Sequence, residues 1–126
     1  MKNLVRIEEL IQFLACLAVL VIFCHVPWWT YILLLLGPDI GMFGYLVSPR
    51  LGAITYNLFH HKGIALLVFM VGIALIPEGT TDVLLILGTI LYGHSSMDRM
   101  LGYGLKFSDG FQHTHLGWIG KGQQEK

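Results

Sequence analysis

Trp28-Trp29-Thr30-Tyr31-Ile32-Leu33-Leu34-Leu35-Leu36-Gly37-Pro38-Asp39 opens an apolar segment that runs to Val47. At about 20 residues it has the length a helix needs to cross roughly 30 Å of hydrocarbon. Trp28, Trp29 and Tyr31 put amphipathic rings at its start, where such rings gather at a membrane–water boundary. Gly37-Pro38 then removes a backbone N–H inside the run. That loss predicts a kink, frees carbonyl groups and turns Asp39 inward.

Three further apolar segments surround this one, at about Ile7 to Cys24, Leu51 to Ile76 and Thr81 to Tyr103. Val26-Pro27, Ser48-Pro49-Arg50 and Pro77-Glu78-Gly79 punctuate them, and such short turns make neighbours antiparallel. Composition agrees, with 55% hydrophobic residues, 13% charged and a mean hydropathy of +0.67. Soluble domains usually carry about 25% charged residues. The expected fold class is therefore all-α, a polytopic integral membrane protein built as a compact bundle of four transmembrane helices. One domain, residues 1–126, includes a short cytoplasmic C-terminal tail over residues 105–126. With no small-residue cleavage site after the first segment, that segment is expected to stay as an anchor.

Eight Lys and Arg balance eight Asp and Glu, which argues against nucleic acid as a partner. Lys2, Arg6, Arg50, Lys62, Arg99, Lys106, Lys121 and Lys126 all fall on or nearest one side of the four segments. The positive-inside rule then places both termini in the cytoplasm of a bacterial inner membrane. Cys16 and Cys24 lie about 12 Å apart along one helix, too far to bridge.

Ionisable side chains inside apolar helices are costly enough to be functional suspects. His94 and Asp98 are four residues apart, and Asn57 and His60 three apart, so each pair shares a helix face. Counted at 1.5 Å per residue, Asp39, Asn57, His60, His94 and Asp98 all lie roughly 9–15 Å in from the basic side. Tyr56 and Tyr92 add hydroxyls nearby. Two imidazoles and two carboxylates suit one divalent ion such as Zn, Mn or Fe, with Asp39, His60, His94 and Asp98 as ligands. The plainer alternative is a hydrogen-bonded packing cluster, with Asp98 paired to Arg50 or Arg99 and Asp39 capping the half-helix after Pro38. His61 and Lys62 are read as facing headgroups. His113 and His115 reach the mouth of the site if that segment is extended, and otherwise belong to a solvated tail.

The motifs Pro38-Asp39-Ile40-x-Met42-x-Gly44-Tyr45, Tyr56-Asn57-x-x-His60, His94-x-x-x-Asp98-Arg99-x-Leu101-Gly102-Tyr103-Gly104-Leu105-Lys106 and Thr114-His115-Leu116-Gly117 carry a resemblance over nearly the whole chain. The family resembled is the uncharacterised bacterial integral membrane family called domain of unknown function four-two-six-zero. It implies a small multi-helix membrane protein and no established activity. A more distant likeness is to the YdjM-like membrane-bound metal-dependent hydrolases. Their Pro-Asp, His and late His-x-x-x-Asp motifs would fall on Pro38-Asp39, His60 and His94-Asp98. Ile40 and Gly41 stand where that group has paired acids.

The expected function is metal-assisted hydrolysis of an ester or phosphoester in a lipid-like substrate, with membrane lipid as partner. Asn57 or Tyr103 would orient the substrate. Two other classes remain: a cation or proton carrier or channel subunit, and a bundle binding haem between His60 and His94.

Overall fold

The computed structural model describes residues 1–76 and 82–120. Within them the chain is all-α apart from one short hairpin. Helix α1, Lys2–Ala18, runs into a π-helical turn, Val19–Phe23. Helix α2, Trp29–Leu36, continues as a 3-10 helix, Gly37–Leu46. Helices α3, Pro49–His60, and α4, Lys62–Leu75, are followed by α5, Asp82–Leu101. Strands β1, His113–Thr114, and β2, Gly117–Trp118, pair antiparallel with His113 opposite Trp118. The expected Pro77-Glu78-Gly79 turn, the start of the last segment at Thr81 and the chain beyond Gly120 lie outside the described residues.

The apolar segments expected as four helices thus appear as five α-helices, with three segments changing geometry partway. The first ends in a π turn before His25, which sits at φ 48° and leads into Val26-Pro27. The second becomes 3-10 at Gly37, where Pro38 has no N–H to continue the α-helical ladder. The third is bent by 43° at His61, whose extended backbone ends α3 and whose ring accepts the Ile64 N–H to start α4. Ser48 caps α3 in the same way, accepting from Leu51 N–H ahead of Pro49 in the first turn.

Trp29–Leu46 is long and apolar enough to cross a membrane, and α3 with α4 makes a second such helix if the bent pair counts as one span. Helix α1 carries Lys2, Arg6, Glu8 and Glu9 and α5 carries His94, Asp98 and Arg99, which lowers their apolar character.

Packing inverts the usual distribution. Glu9, His60, His94, Asp98 and Lys106 are buried, whereas Phe23, Trp28, Leu36, Phe43, Leu46 and Leu67 are exposed. The apolar core is small, centred on Leu20, Leu34 and Ile90. Polar ties supplement it. Lys62, read from the sequence as facing headgroups, instead turns inward to an ion pair with buried Glu9 and donates to Gln12 Oε1 at 2.5 Å. Tyr92 donates to the same Gln12 oxygen at 3.0 Å, so α1, α4 and α5 meet at one polar group.

Close approach matters equally on the other side of the molecule, where α3 packs on the 3-10 helix. Thr55 Oγ1 donates to Gly41 O at 2.5 Å, and a Cβ on Gly44 would meet Thr55 Oγ1 and lie 2.9 Å from Leu51 O. Only glycine lets these backbones touch. Gly44→Val should therefore lower the unfolding temperature of detergent-solubilised protein by the equivalent of about 1–3 kcal/mol. Phe43→Val, at an exposed neighbour, should stay within about 0.5 kcal/mol. Equal melting of both variants would mean that α3 is not seated on Gly44.

Candidate metal centre

Three elements deliver the centre, and local sequence explains each placement. Because Pro38 lacks an N–H, the carbonyl four residues before it, Leu34 O, has no helical donor. His94 of α5 takes that role, with Nδ1 2.9 Å from Leu34 O. Asp39, next after the proline, stands in the first turn of the 3-10 helix with Oδ1 3.2 Å from His94 Nε2. His60 closes α3 with Nδ1 2.8 Å from Tyr56 O. One turn earlier, the Tyr56 ring stacks on His60 at 3.8 Å and its hydroxyl donates to Asp98 Oδ2 at 2.5 Å.

The remaining distances close the group. His60 Nε2 lies 3.1 Å from Asp98 Oδ2 and 3.5 Å from Asp39 Oδ1, and His94 Nε2 lies 3.6 Å from Asp98 Oδ1. One ligand atom from each of Asp39, His60, His94 and Asp98 fits within 4.8 Å of all the others, so the group could hold a metal ion. Neighbouring ligand atoms around a tetrahedral ion with bonds near 2.05 Å are separated by about 3.3 Å, close to these values. Three of the four residues are buried, and the Asp39 side chain is 37% exposed, making it the open side.

Protonation follows from the acceptors. A carbonyl oxygen only accepts, so both Nδ1 atoms carry hydrogen, and each neutral imidazole presents a bare Nε2. Those two lone pairs then face two carboxylates, acceptor against acceptor, which calls for a cation between them. A second proton on each ring is one source. His60 Nε2, however, makes no hydrogen bond despite its 3.1 Å approach to Asp98. His94 Nε2 does align with Asp39 Oδ1 at 3.2 Å. A metal ion is the other source, needing only converging lone pairs, and backbone-anchored Nδ1–H groups are the usual outer support of ligating histidines.

The structure thus brings together Asp39, His60, His94 and Asp98. Asp98 pairs with the two histidines and Tyr56 rather than with an arginine. Asn57 does not reach the centre: its amide donates to Lys106 O at 2.8 Å and accepts from Lys106 N–H at 2.6 Å. Tyr103 is 39% exposed and borders Lys106 instead. Tyr56 joins the centre, whereas Tyr92 turns away to Gln12.

Lys106 lies beyond the last apolar segment, where its sequence position gives no sign of burial. It is 4% exposed, with Nζ 4.9 Å from the Tyr56 ring and 4.0 Å from that of Phe111, and without a hydrogen-bond partner. Burial pulls its pKa down to about 8, against the raising influence of Asp98 and Asp39. The region expected as tail from residue 105 onward is folded up to Gly120. His113 pairs with Asp109 and stacks on Trp118, while His115 accepts the Leu105 N–H, so neither joins the centre. Burial, then the Arg99 charge, lowers the His115 pKa.

The chain belongs to the family described as Domain of unknown function (DUF4260), which matches residues 2–119. No curated protein and no solved structure matches it. No link to the YdjM-like hydrolases emerges from these comparisons.

Asn57 holds the hairpin segment to α3 through two hydrogen bonds, each worth about 1 kcal/mol. Asn57→Ala should accelerate limited proteolysis between Tyr103 and Gly120. Wild-type cleavage rates in this variant would show that the segment is held by other contacts.

Proposed function

We propose that this protein is a multi-pass protein of the bacterial inner membrane whose Asp39–His60–His94–Asp98 centre binds one divalent ion and hydrolyses an ester or phosphoester of a lipid-like substrate. The observation that carries the metal reading is the pair of imidazoles, each anchored through Nδ1 to a backbone carbonyl, with both Nε2 atoms turned to two carboxylates. Charge supports it. Two carboxylates and a divalent ion sum to zero, the least costly total in a poorly solvated interior. Neutral nitrogen and carboxylate oxygen suit Zn, Mn or Fe.

Such an ion would supply Lewis acidity and a water of lowered pKa for hydrolysis. The chain's own contribution is positional. Tyr56 holds Asp98 by its hydroxyl and His60 by its ring, Leu34 O fixes the His94 tautomer, and the part-exposed Asp39 marks the side from which substrate enters. The haem alternative fits this geometry poorly. The His60 and His94 rings are 4.9 Å apart, and both turn to the same carboxylates rather than to opposite faces of a plane.

Membrane placement is supported by the exposed apolar side chains on every arm, a surface that soluble monomers rarely carry. Charge asymmetry supports cytoplasmic termini. On a background with Cys16 and Cys24 replaced by Ser, single cysteines near Met1 and Lys126 should label from the cytoplasm and one at Glu78 from outside. Termini on opposite sides would end the four-segment topology.

For the centre, protein purified without chelators should contain about one metal ion per chain. Ligands that bind only the folded state stabilise it, by about 2.7 kcal/mol at a hundredfold excess over Kd. EDTA should accordingly lower the unfolding temperature, and one of Zn2+, Mn2+ or Fe2+ should restore it. His94→Ala should abolish the response and His25→Ala should preserve it. Metal-free wild-type protein that melts identically with EDTA or added ions would sink the reading.

A further inference from the structure

A cleft lies at the end of the molecule where α1 begins and α5 finishes. Its volume is about 370 Å³, and Lys2, Arg6 and Arg99 line it together. Lys2 and Arg6 are four residues apart on α1, so their charges share one face and repel. Arg99, from the last turn of α5, adds a third positive charge. Among the described residues no carboxylate lines the cleft and none pairs with these three cations. This contrasts with Lys62, which has Glu9.

The other walls are apolar and aromatic. Tyr103 and Trp118 face the cleft together with Leu116. The Trp118 ring is fixed by stacking on His113 at 4.1 Å, with the planes 4° apart. Tyr103, expected to orient substrate at the metal centre, therefore lines this cleft instead. Its volume falls within the roughly 300–1,000 Å³ usual for small-molecule sites, which exceeds a lone ion. Guanidinium groups match phosphate oxygens bidentately, and basic pockets on the cytoplasmic side of membrane proteins take anionic headgroups.

We propose that the Lys2–Arg6–Arg99 cleft is a binding site for an organic phosphate, with the phosphate held by the three cations and the attached organic group lying against Tyr103, Trp118 and Leu116. The shared chemistry has two sources: the headgroup of an anionic phospholipid, or a soluble phosphate ester. The site is independent of the metal centre, so neither proposal depends on the other.

The test uses the full chain in a neutral detergent, titrated separately with dioleoylphosphatidylglycerol, dioleoylphosphatidylcholine and glycerol 3-phosphate. Affinity is read by thermophoresis and stabilisation by thermal unfolding. Phosphatidylglycerol should bind and raise the unfolding temperature well above phosphatidylcholine, assigning the lipid source. Saturable binding of glycerol 3-phosphate alone would assign the soluble source and equally support the site. In either case the double variant R6Q/R99Q should bind about ten-fold or more weakly. Arg50→Gln, which removes a positive charge elsewhere, should bind as wild type.

Lys2→Gln, at an exposed position, provides a milder variant should the double variant fold poorly, and it too should weaken binding. Metal content and the EDTA response should be unchanged in all of these variants. Absence of binding by every phosphate compound, undiminished binding in R6Q/R99Q, or equal loss in Arg50→Gln would overturn the proposal.

Discussion

A single missing hydrogen bond organises the centre. Pro38 cannot donate to Leu34 O, and Leu34 is 1% exposed, so water cannot replace the lost partner. An unsatisfied buried carbonyl costs about 1–3 kcal/mol. His94, itself fully buried, supplies the donor through Nδ1 and thereby turns Nε2 toward the carboxylates. The same proline converts the helix to 3-10 geometry from Gly37 onward and sets Asp39 beside that Nε2. Backbone satisfaction, imidazole tautomer and carboxylate placement are thus one constraint seen from three residues.

That constraint has weight because little else joins these elements. The apolar core is narrow, and in the lipid setting proposed here burying a leucine between helices differs little from leaving it among acyl chains. Specific ties must then hold the arms. On one side the 3-10 helix, α3 and α5 converge on two carboxylates and two imidazoles. Elsewhere α1, α4 and α5 converge on Glu9, Gln12, Lys62 and Tyr92. Helix α5 belongs to both groups. Glycines 41 and 44 allow the remaining contact, backbone against Thr55.

The sequence revealed the centre more readily than the fold's irregularities. His94 and Asp98 share a face through helical spacing alone, and Asp39 follows a proline whose effect on a helix is predictable. His60 came through for the same reason of spacing. Asn57, three residues before it, misled because side-chain direction depends on a partner distant in sequence: Lys106, past the end of α5, takes both of its hydrogen-bonding groups. Nothing local in Gly104-Leu105-Lys106 signals burial, since a lysine after an apolar segment normally marks a membrane boundary. The break at His61 is hidden similarly, because a histidine ring serving as a helix cap is not a common start signal, and the polar run His60-His61-Lys62 carries no proline to mark a helix end.

Lys106 also links the hairpin to the centre through charge. Its ammonium lies over the Tyr56 ring, which also stacks on His60, in an enclosure that disfavours the charged form. Asp98 and Asp39 oppose that penalty. Any cation placed among the four ligand atoms cancels part of their negative field, and with it the support for a charge at Lys106. A cation held there would therefore weaken the support that Asp98 and Asp39 give to a charge at Lys106. Asn57 grips the Lys106 backbone through both its N–H and its C=O, so the segment that carries this ammonium is tied to α3 one turn from His60.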